Sequence, residues 1–340
     1  MSPETVGSIP GVTVCIPTYN QADYLPLTVD SVLAQTRPPL SVVIGDDASS
    51  DRTPAVIAEL GATNPNVQAF RQPANRGIAG NSDDVLRRAS TEFVMRLDSD
   101  DRLLPPALER LAKALAAHPG AGCVHAAVWE IDQAGTRGRL RRLARGMGLM
   151  SAEDALRAAL RGYRVSANIV MFRRTALVSV GYLTGRPDYV EDYHLSVALA
   201  RAGWGNVYVD EPLAEYRVWM DVKRVRARRK LIELNGVIRT FDEQLQPGFE
   251  ELGWPQKPVA AARRRLAALH ATALAENRYS AEERAELVEA LRRLGEGWGL
   301  RWRLAAIRLG AASVVRLHER ARAAARAFVK NRMFIRKSPN

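Results

Sequence analysis

The sequence predicts an α/β domain, a largely parallel sheet flanked by helices, followed by an α-helical C-terminal region. Short apolar runs ending in polar residues, VTVCIP (12–17), SVVIGDD (41–47) and EFVMRLDSDD (92–101), alternate with helix-periodic segments, the order expected of a parallel sheet. Beyond Trp219 the composition turns to Ala, Arg, Leu and Glu with helical spacing. Charge divides at the same place: residues 1–220 hold 23 Lys and Arg against 24 Asp and Glu, whereas residues 221–340 hold 26 against 13. Two domains are therefore expected, 1–220 and 221–340, the second basic and suited to an anionic surface.

Along the chain, Asn20 and Asp23 have the spacing of a capping box for a helix running to about Gln35, with Leu25, Val29, Val32 and Leu33 on one face. Thr53 before Pro54 reads as a helix start leading into AVIAEL. Further helices are expected at NSDDVLRRAS and, after Pro105-Pro106, at ALERLAKALAAH. CVHAAVWEID reads as a strand and GTRGRLRRLARGMG as a basic loop. Ser151 with Asp154 caps another helix, ANIVMFRR is a strand, and Val190, Leu195, Ala198 and Leu199 make a helical stripe behind Glu191-Asp192. VYVDEPLAEYRVW closes the body. Helices then follow at 222–245, 258–276, 280–294 and 298–335. The last sets Ile307, Val314, Leu317, Ala321 and Phe328 opposite Arg301, Arg308, Arg326 and Lys330.

The totals exclude several classes. A hydrophobic content of 47% with 25% charged residues is that of a globular protein rather than a disordered or membrane-embedded one. Cys15 and Cys123 stand far apart, without metal-ligand spacing, so neither a disulfide framework nor a zinc site is expected and a reducing cytoplasm fits. The first residues, MSPETVGSIPG, lack the features of a secretory signal, and no apolar run reaches the roughly 18 residues of a membrane span.

Ligands of such sheets bind beyond the carboxyl ends of the strands. Pro17-Thr18-Tyr19, Asp46-Asp47 and Asp98-Ser99-Asp100-Asp101 each follow an expected strand, so all three gather on one rim. Like charges so near a core repel unless something positive answers them. Asp98 and Asp100, one residue apart, suit a hard divalent cation that also holds phosphates; a solvated turn is the plainer alternative. Asp46-Asp47 could accept the imide N–H of a pyrimidine ring or could simply build a turn. Glu191-Asp192 at a helix start fits either a favourable dipole pairing or a general base. His125 and His194 are read as structural.

Taken in order, VTVCIPTYNQADYLPLTVDSVLAQT, VVIGDDASSDRT, NRGIAGNSDDVLRRASTEFVMRLDSDD and VEDYHLSVALARAG resemble the family 2 inverting glycosyltransferases of the GT-A fold, over about residues 10–217. The resemblance implies a nucleotide-diphosphate sugar donor, with UDP or dTDP as the nucleotide, and a glycan, lipid-linked or other hydroxyl acceptor. It implies that Pro17 and Tyr19, with Thr18 between them, flank base and ribose, that Asp47 and Asp46 contact the pyrimidine, and that Asp98 lies near the ribose beside Ser99. Asp100 would hold Mn²⁺ or Mg²⁺, and Asp192 of the Glu191-Asp192 pair would be the catalytic base. Two departures stand out: AGNSDD follows NRG, leaving Asn81 or Asp83 as replacement contacts, and Trp219 occupies a position where relatives often carry histidine, with Arg217 kept as a diphosphate candidate.

A cytoplasmic enzyme of surface-glycan assembly is expected, placed at the inner face of the membrane if its basic helices touch lipid. Those helices could equally pack on the body or pair two subunits; nucleic-acid binding is not expected, since no recognisable module accompanies the charge. The alternative from another class is a glycosyltransferase-like domain that binds a glycan or nucleotide sugar without turnover and acts through its basic tail.

Overall fold

The apolar run at 12–17 becomes β1 (Val12–Thr18), a strand with all seven residues buried. In this computed structural model, which describes residues 9–143, 146–162, 169–183, 190–219, 229–276 and 278–321, β1 lies between two parallel neighbours. These are β2 (Ser41–Asp46) and β4 (Phe93–Leu97), and β3 (Val67–Arg71) continues the parallel set beyond β2. On the other side β9 (Ile169–Arg173) runs antiparallel to β4 and to β6 (Ala121–Ile131), and β6 is parallel to β10 (Gly205–Arg217). A two-residue β5 (Arg102–Leu103) edges β10, while β7 (Arg137–Arg141) pairs with β6 and β8 (Gly148–Met150) with β10. The sheet is mixed but mostly parallel, with helices on both faces.

Strand alternation explains the two cores. Phe93, Met95 and Leu97 of β4 point into one layer, with Val14 and Ile16 of β1, α1 (Leu25–Leu33) and α4 (Ala107–Ala116). Cys15 and Val94 point the other way, into a layer closed by Val85 and Leu86 of α3 (Gly77–Arg88) and by Leu195 and Leu199 of α7 (Glu191–Arg201). Between these come α2 (Thr53–Thr63), α5 (Ala152–Ala159) and α6 (Arg174–Ser179). Both cysteines are buried and free.

Several local expectations are corrected. Asn20 does not cap α1: its backbone is left-handed, with φ 52°, and its Oδ1 accepts from the Ser50 N–H at 2.9 Å, while Asp23 pairs with Arg52. α2 takes Thr53 into its first turn, and Asp51 serves as the acceptor for the Thr53 N–H at 2.9 Å. Ser151 does cap α5, accepting from the Asp154 N–H at 3.1 Å. The expected basic loop contains strand β7, and its described arginines are answered locally: Arg137 by Glu215, Arg139 and Arg141 by Glu130, Arg142 by Asp210. β3 escaped sequence reading because only Val67 of its five residues is buried.

By its internal packing the chain divides into two units, Met1–Val222 and Lys223–Asn340. In the second, α8 (Lys230–Thr240), a π turn (Phe241–Leu245), α9 (Gln246–Glu251), α10 (Lys257–His270), a 3₁₀ turn (Ala271–Ala275), α11 (Ala281–Gly295) and α12 (Trp298–Arg308) bury Leu234, Phe241, Leu266, Leu287, Leu291 and Leu300 among themselves. The expected continuous helix at 298–335 is broken: α12 stops, Gly310 takes φ 77°, and a new helical stretch begins at residue 312. Arg303, 2% exposed, clasps the two pieces by pairing with Glu319 and donating to the Gly299 carbonyl. The expected residues 222–228 and 322–335 lie outside the described residues.

Candidate active site

The ends of β1 and β2 meet at Thr18 opposite Asp46, and β4 ends beside them, so the three rim motifs stand next to one another. Thr18 accepts the Asp47 N–H at 2.9 Å and thereby ties the first motif to the second. Tyr19 projects outward, 47% exposed, and follows Pro17 and Thr18 at the rim.

Asp46 and Asp47 are buried, and both take part in turn construction. Asp46 accepts the Ser49 N–H at 3.1 Å and lies 3.5 Å from the Arg71 Nε. Asp47 accepts the Arg76 N–H at 2.7 Å at the start of α3; burial pushes its carboxyl up from the ordinary range, against the pull of that N–H. Any contact with a base is added to this turn-building role.

Asn81 is held under the rim rather than on it. Its amide donates to the Gly45 carbonyl at 2.6 Å and its Oδ1 accepts from Gln72. A Cβ at Gly45 would come within 2.8 Å of that Oδ1, so the glycine is what lets the clamp close. Asp83 is likewise engaged, by Arg87 and by the Leu183 N–H. Both residues named as replacement contacts thus also serve the local fold.

The Asp98–Asp101 loop is fixed from three sides. Thr28 of α1 donates to the carbonyls of Ser99 and Asp101 at 2.9 and 2.8 Å. Asp101, fully buried, accepts the Arg217 N–H at 2.8 Å; burial, reinforced by Asp100 and Asp98, pushes its carboxyl well up. Arg217 in turn donates to the Asp100 carbonyl at 2.9 Å and to the carbonyls of Asp132 and Gln133 at 2.7 and 2.9 Å, with its guanidinium 4.4 Å from the Tyr24 ring centre. Nε and Nη1 of Arg217, the residue expected to meet a diphosphate, are thus committed to a main-chain clasp. Asp100 accepts the Trp219 indole N–H at 2.6 Å, and burial together with the Asp98 charge pushes its carboxyl up.

The remaining carboxylate arrives from α7. Asp192, its side chain 23% exposed, meets Arg96 of β4, whose other Nη lies 3.2 Å from Asp98 Oδ1. Burial pushes the Asp192 carboxyl up to about 7; Arg96 pulls it down, and Glu191 and Asp98 push it further up. Asp98 and Asp192, 94 residues apart in sequence, are therefore joined through one guanidinium.

Residues 13–178 match the family model for Glycosyl transferase family 2. They form a family 2 glycosyltransferase domain. Hyaluronan synthase of Pasteurella multocida is 38% identical over 120 residues, 35% of this chain and 12% of that protein, so the chain spans far less than the length of the curated relatives it matches. Among solved structures, S. aureus TarS superposes with a TM-score of 0.64 at 16% identity, over 90% of this chain and 55% of that one; its 1-349 form is known in complex with UDP-GlcNAc. The mannosyltransferase PcManGT from Pyrobaculum calidifontis, in complex with GDP-Man and Mn²⁺, gives 0.55 at 22% identity over 91% and 82%. These likenesses establish the GT-A fold.

In the glycosyltransferase domain no cluster of three or more His, Cys, Asp or Glu side chains among the described residues could hold a metal alone. The donor set still fits a hard cation. Asp100 and Asp98 bring two carboxylates whose mutual repulsion is recorded in the raised Asp100 carboxyl, and Mg²⁺ or Mn²⁺ is commonly held by one or two carboxylates plus substrate phosphates. Sequence reading missed Arg96, hidden in the apolar run FVMRL, and the bond between Trp219 and Asp100. The only sequence signal for Arg96 was a charge at a position of β4 where alternation points into a core.

Proposed function

We propose that the chain is a metal-dependent inverting glycosyltransferase that moves a sugar from a UDP- or dTDP-sugar to a hydroxyl acceptor, in assembly of a surface glycan. The observation that carries this is Asp192: a carboxylate at the start of α7, joined through Arg96 to the Asp98 rim, with its proton affinity raised to about 7. A general base works best when its pKa lies near the operating pH.

In this reaction Asp192 takes the proton of the acceptor hydroxyl as its oxygen forms a bond to the anomeric carbon. The bond from that carbon to the diphosphate oxygen breaks on the opposite face, the electron pair leaving with the nucleotide, so the anomeric configuration inverts. Asp100, with Asp98 beside it, would hold Mn²⁺ or Mg²⁺, which when bound offsets the charge of the departing diphosphate. Tyr19 and Pro17 offer a face for the nucleoside, with Asp47 and Asp46 beneath the same rim. The Mn²⁺ and nucleotide-sugar complexes of PcManGT and TarS support this assignment by analogy of fold.

The acceptor is inferred to lie at the inner face of a membrane. Trp298, Leu309, Val314 and Leu317 of the second unit are 54% to 83% exposed, and exposed arginines 301, 308 and 320 accompany them. No helix among the described residues is long and apolar enough to cross a membrane, so contact would be peripheral.

Screening UDP-, dTDP- and GDP-sugars with Mn²⁺ for nucleotide release tests the proposal. Turnover of a UDP- or dTDP-sugar is expected, with Asp192→Asn reducing it by about a hundredfold or more. An Asp192→Asn variant as active as the parent would remove the base assignment.

A further inference from the structure

We propose that Arg96 is a positioning residue for glycosyl transfer, holding the base Asp192 and the donor-side Asp98 at a fixed spacing with one guanidinium. The proposal rests on Asp192 being the base. It begins from a misfit in the sheet. On β4, Val94 and Arg96 alternate with Phe93, Met95 and Leu97, and the face that Val94 shares with Cys15, Val43 and Val170 is an aliphatic core. Arg96 sits on that face, registered opposite Cys15 and Val170, and is 4% exposed. A full charge at such a place is strongly unfavourable unless partners answer it.

The identity of those partners separates a functional role from a structural one. A charge neutralised for the sake of the fold is best matched by an equally buried carboxylate. Among the described residues the two acids it meets are less buried than the arginine, 19% and 23% for Asp98 and Asp192 against 4%, so this charge is answered on the more exposed side. Nη2 meets Asp98 Oδ1 at 3.2 Å and Nη1 meets Asp192 Oδ1. A planar guanidinium addresses two carboxylates with fixed geometry, which an ammonium does not. Because Asp98 and Asp192 belong to different elements, this fork determines how far the base stands from the donor.

The proton balance follows. With Oδ1 of Asp192 tied to Arg96, the acceptor proton goes to Oδ2. Asp192 then becomes neutral, and the Arg96 charge stays answered by Asp98 while the nucleotide diphosphate departs. Arg96 touches neither donor nor acceptor in this scheme and acts through Asp192.

The experiment uses the full chain and nucleotide release from the UDP- or dTDP-sugar that the parent turns over. Arg96→Gln is expected to lower kcat about ten- to a hundredfold, with KM for the sugar nucleotide and calorimetric UDP binding in Mn²⁺ within about threefold of the parent, since a positioning loss falls on the transition state. Arg96→Lys should fall between the two. The double variant Arg96→Gln/Asp192→Asn should be no slower than Asp192→Asn alone, the non-additivity expected of residues acting as a unit. A parental kcat in Arg96→Gln, fully additive losses, or UDP binding that falls in step with rate would overturn the proposal. Should Arg96→Gln fail to fold, as judged by its melting curve, Arg96→Lys decides: a parental kcat overturns the proposal. If Asp192→Asn is fully active, or the parent turns over no sugar nucleotide, the base reading itself fails; if Asp192→Asn is inactive and Arg96→Gln is not, only the role of Arg96 fails.

Discussion

Asp192 links chemistry to a measurable pH dependence. An ordinary aspartate, with a pKa of about 3.9, would be ionised throughout the neutral range, and its role as a base would leave no mark there. Burial pushes Asp192 up to about 7 even with Arg96 beside it, and Glu191 and Asp98 face it with like charge. Only the ionised form accepts a proton, so kcat/KM, which reports the free enzyme, is expected to rise with pH through about 7 and level off roughly one unit above. A flat profile from about pH 5.5 to 8.5 would contradict the raised affinity. The carboxylates of the rim were readable in sequence because they stood at the ends of apolar runs, and Asp192 because it stood in an acidic pair at a helix start. The main-chain bonds of Arg217 and Asn81 were not readable: a polar side chain near a motif can face a ligand or the main chain, and the carbonyls of Asp100, Asp132, Gln133 and Gly45 that these two meet lie far away in sequence.

Among the elements, strands with continuous apolar runs were legible, and so was the rim they share. Local caps were less so. Asn20 and Asp23 carry the right spacing, yet contacts with Ser50 and Arg52 from the next loop take them elsewhere. The clasp between the Asp98–Asp101 loop and the end of β10 lay beyond sequence altogether, since its members are over a hundred residues apart. Its contribution can be measured. Asp101→Ala leaves the buried Arg217 N–H without its acceptor and is expected to destabilise the first unit by about 1–3 kcal/mol. Asp101→Asn keeps an acceptor oxygen and, because the carboxyl is already pushed well up, should cost clearly less. Equal melting temperatures for the two variants would contradict the clasp.

Across the whole molecule, the net positive charge belongs to residues 221–340, where Trp298, Leu309, Val314 and Leu317 are also exposed. From residue 298 to 321 the one acidic residue is Glu319, paired with the buried Arg303, so the exposed arginines of that stretch are not balanced within it. Each such residue contributes about 1 kcal/mol at an anionic leaflet. The chain is expected to sediment with phosphatidylglycerol vesicles but not with phosphatidylcholine vesicles, and less so at high salt. Replacing Trp298, Leu309 and Leu317 together by serine should reduce binding severalfold while leaving nucleotide release in solution intact. Dimerisation, detected by light scattering and abolished by the same changes without any vesicle binding, would assign this surface to a second copy instead. The charge division was plain in the sequence, but the break at Gly310 was not, because a helical apolar stripe continues in register through it.

The bond from Trp219 to Asp100 also has an optical consequence. An indole within 2.6 Å of the carboxylate proposed to hold the cation is a built-in fluorophore for that position. Paramagnetic Mn²⁺ entering with UDP should quench its emission, and diamagnetic Mg²⁺ should shift it with little quenching. Of the six tryptophans, Trp219 alone has its N–H bonded to that carboxylate among the described residues. A Trp219→Phe variant should lose most of the Mn²⁺ response, so cation occupancy can be followed before any acceptor is known.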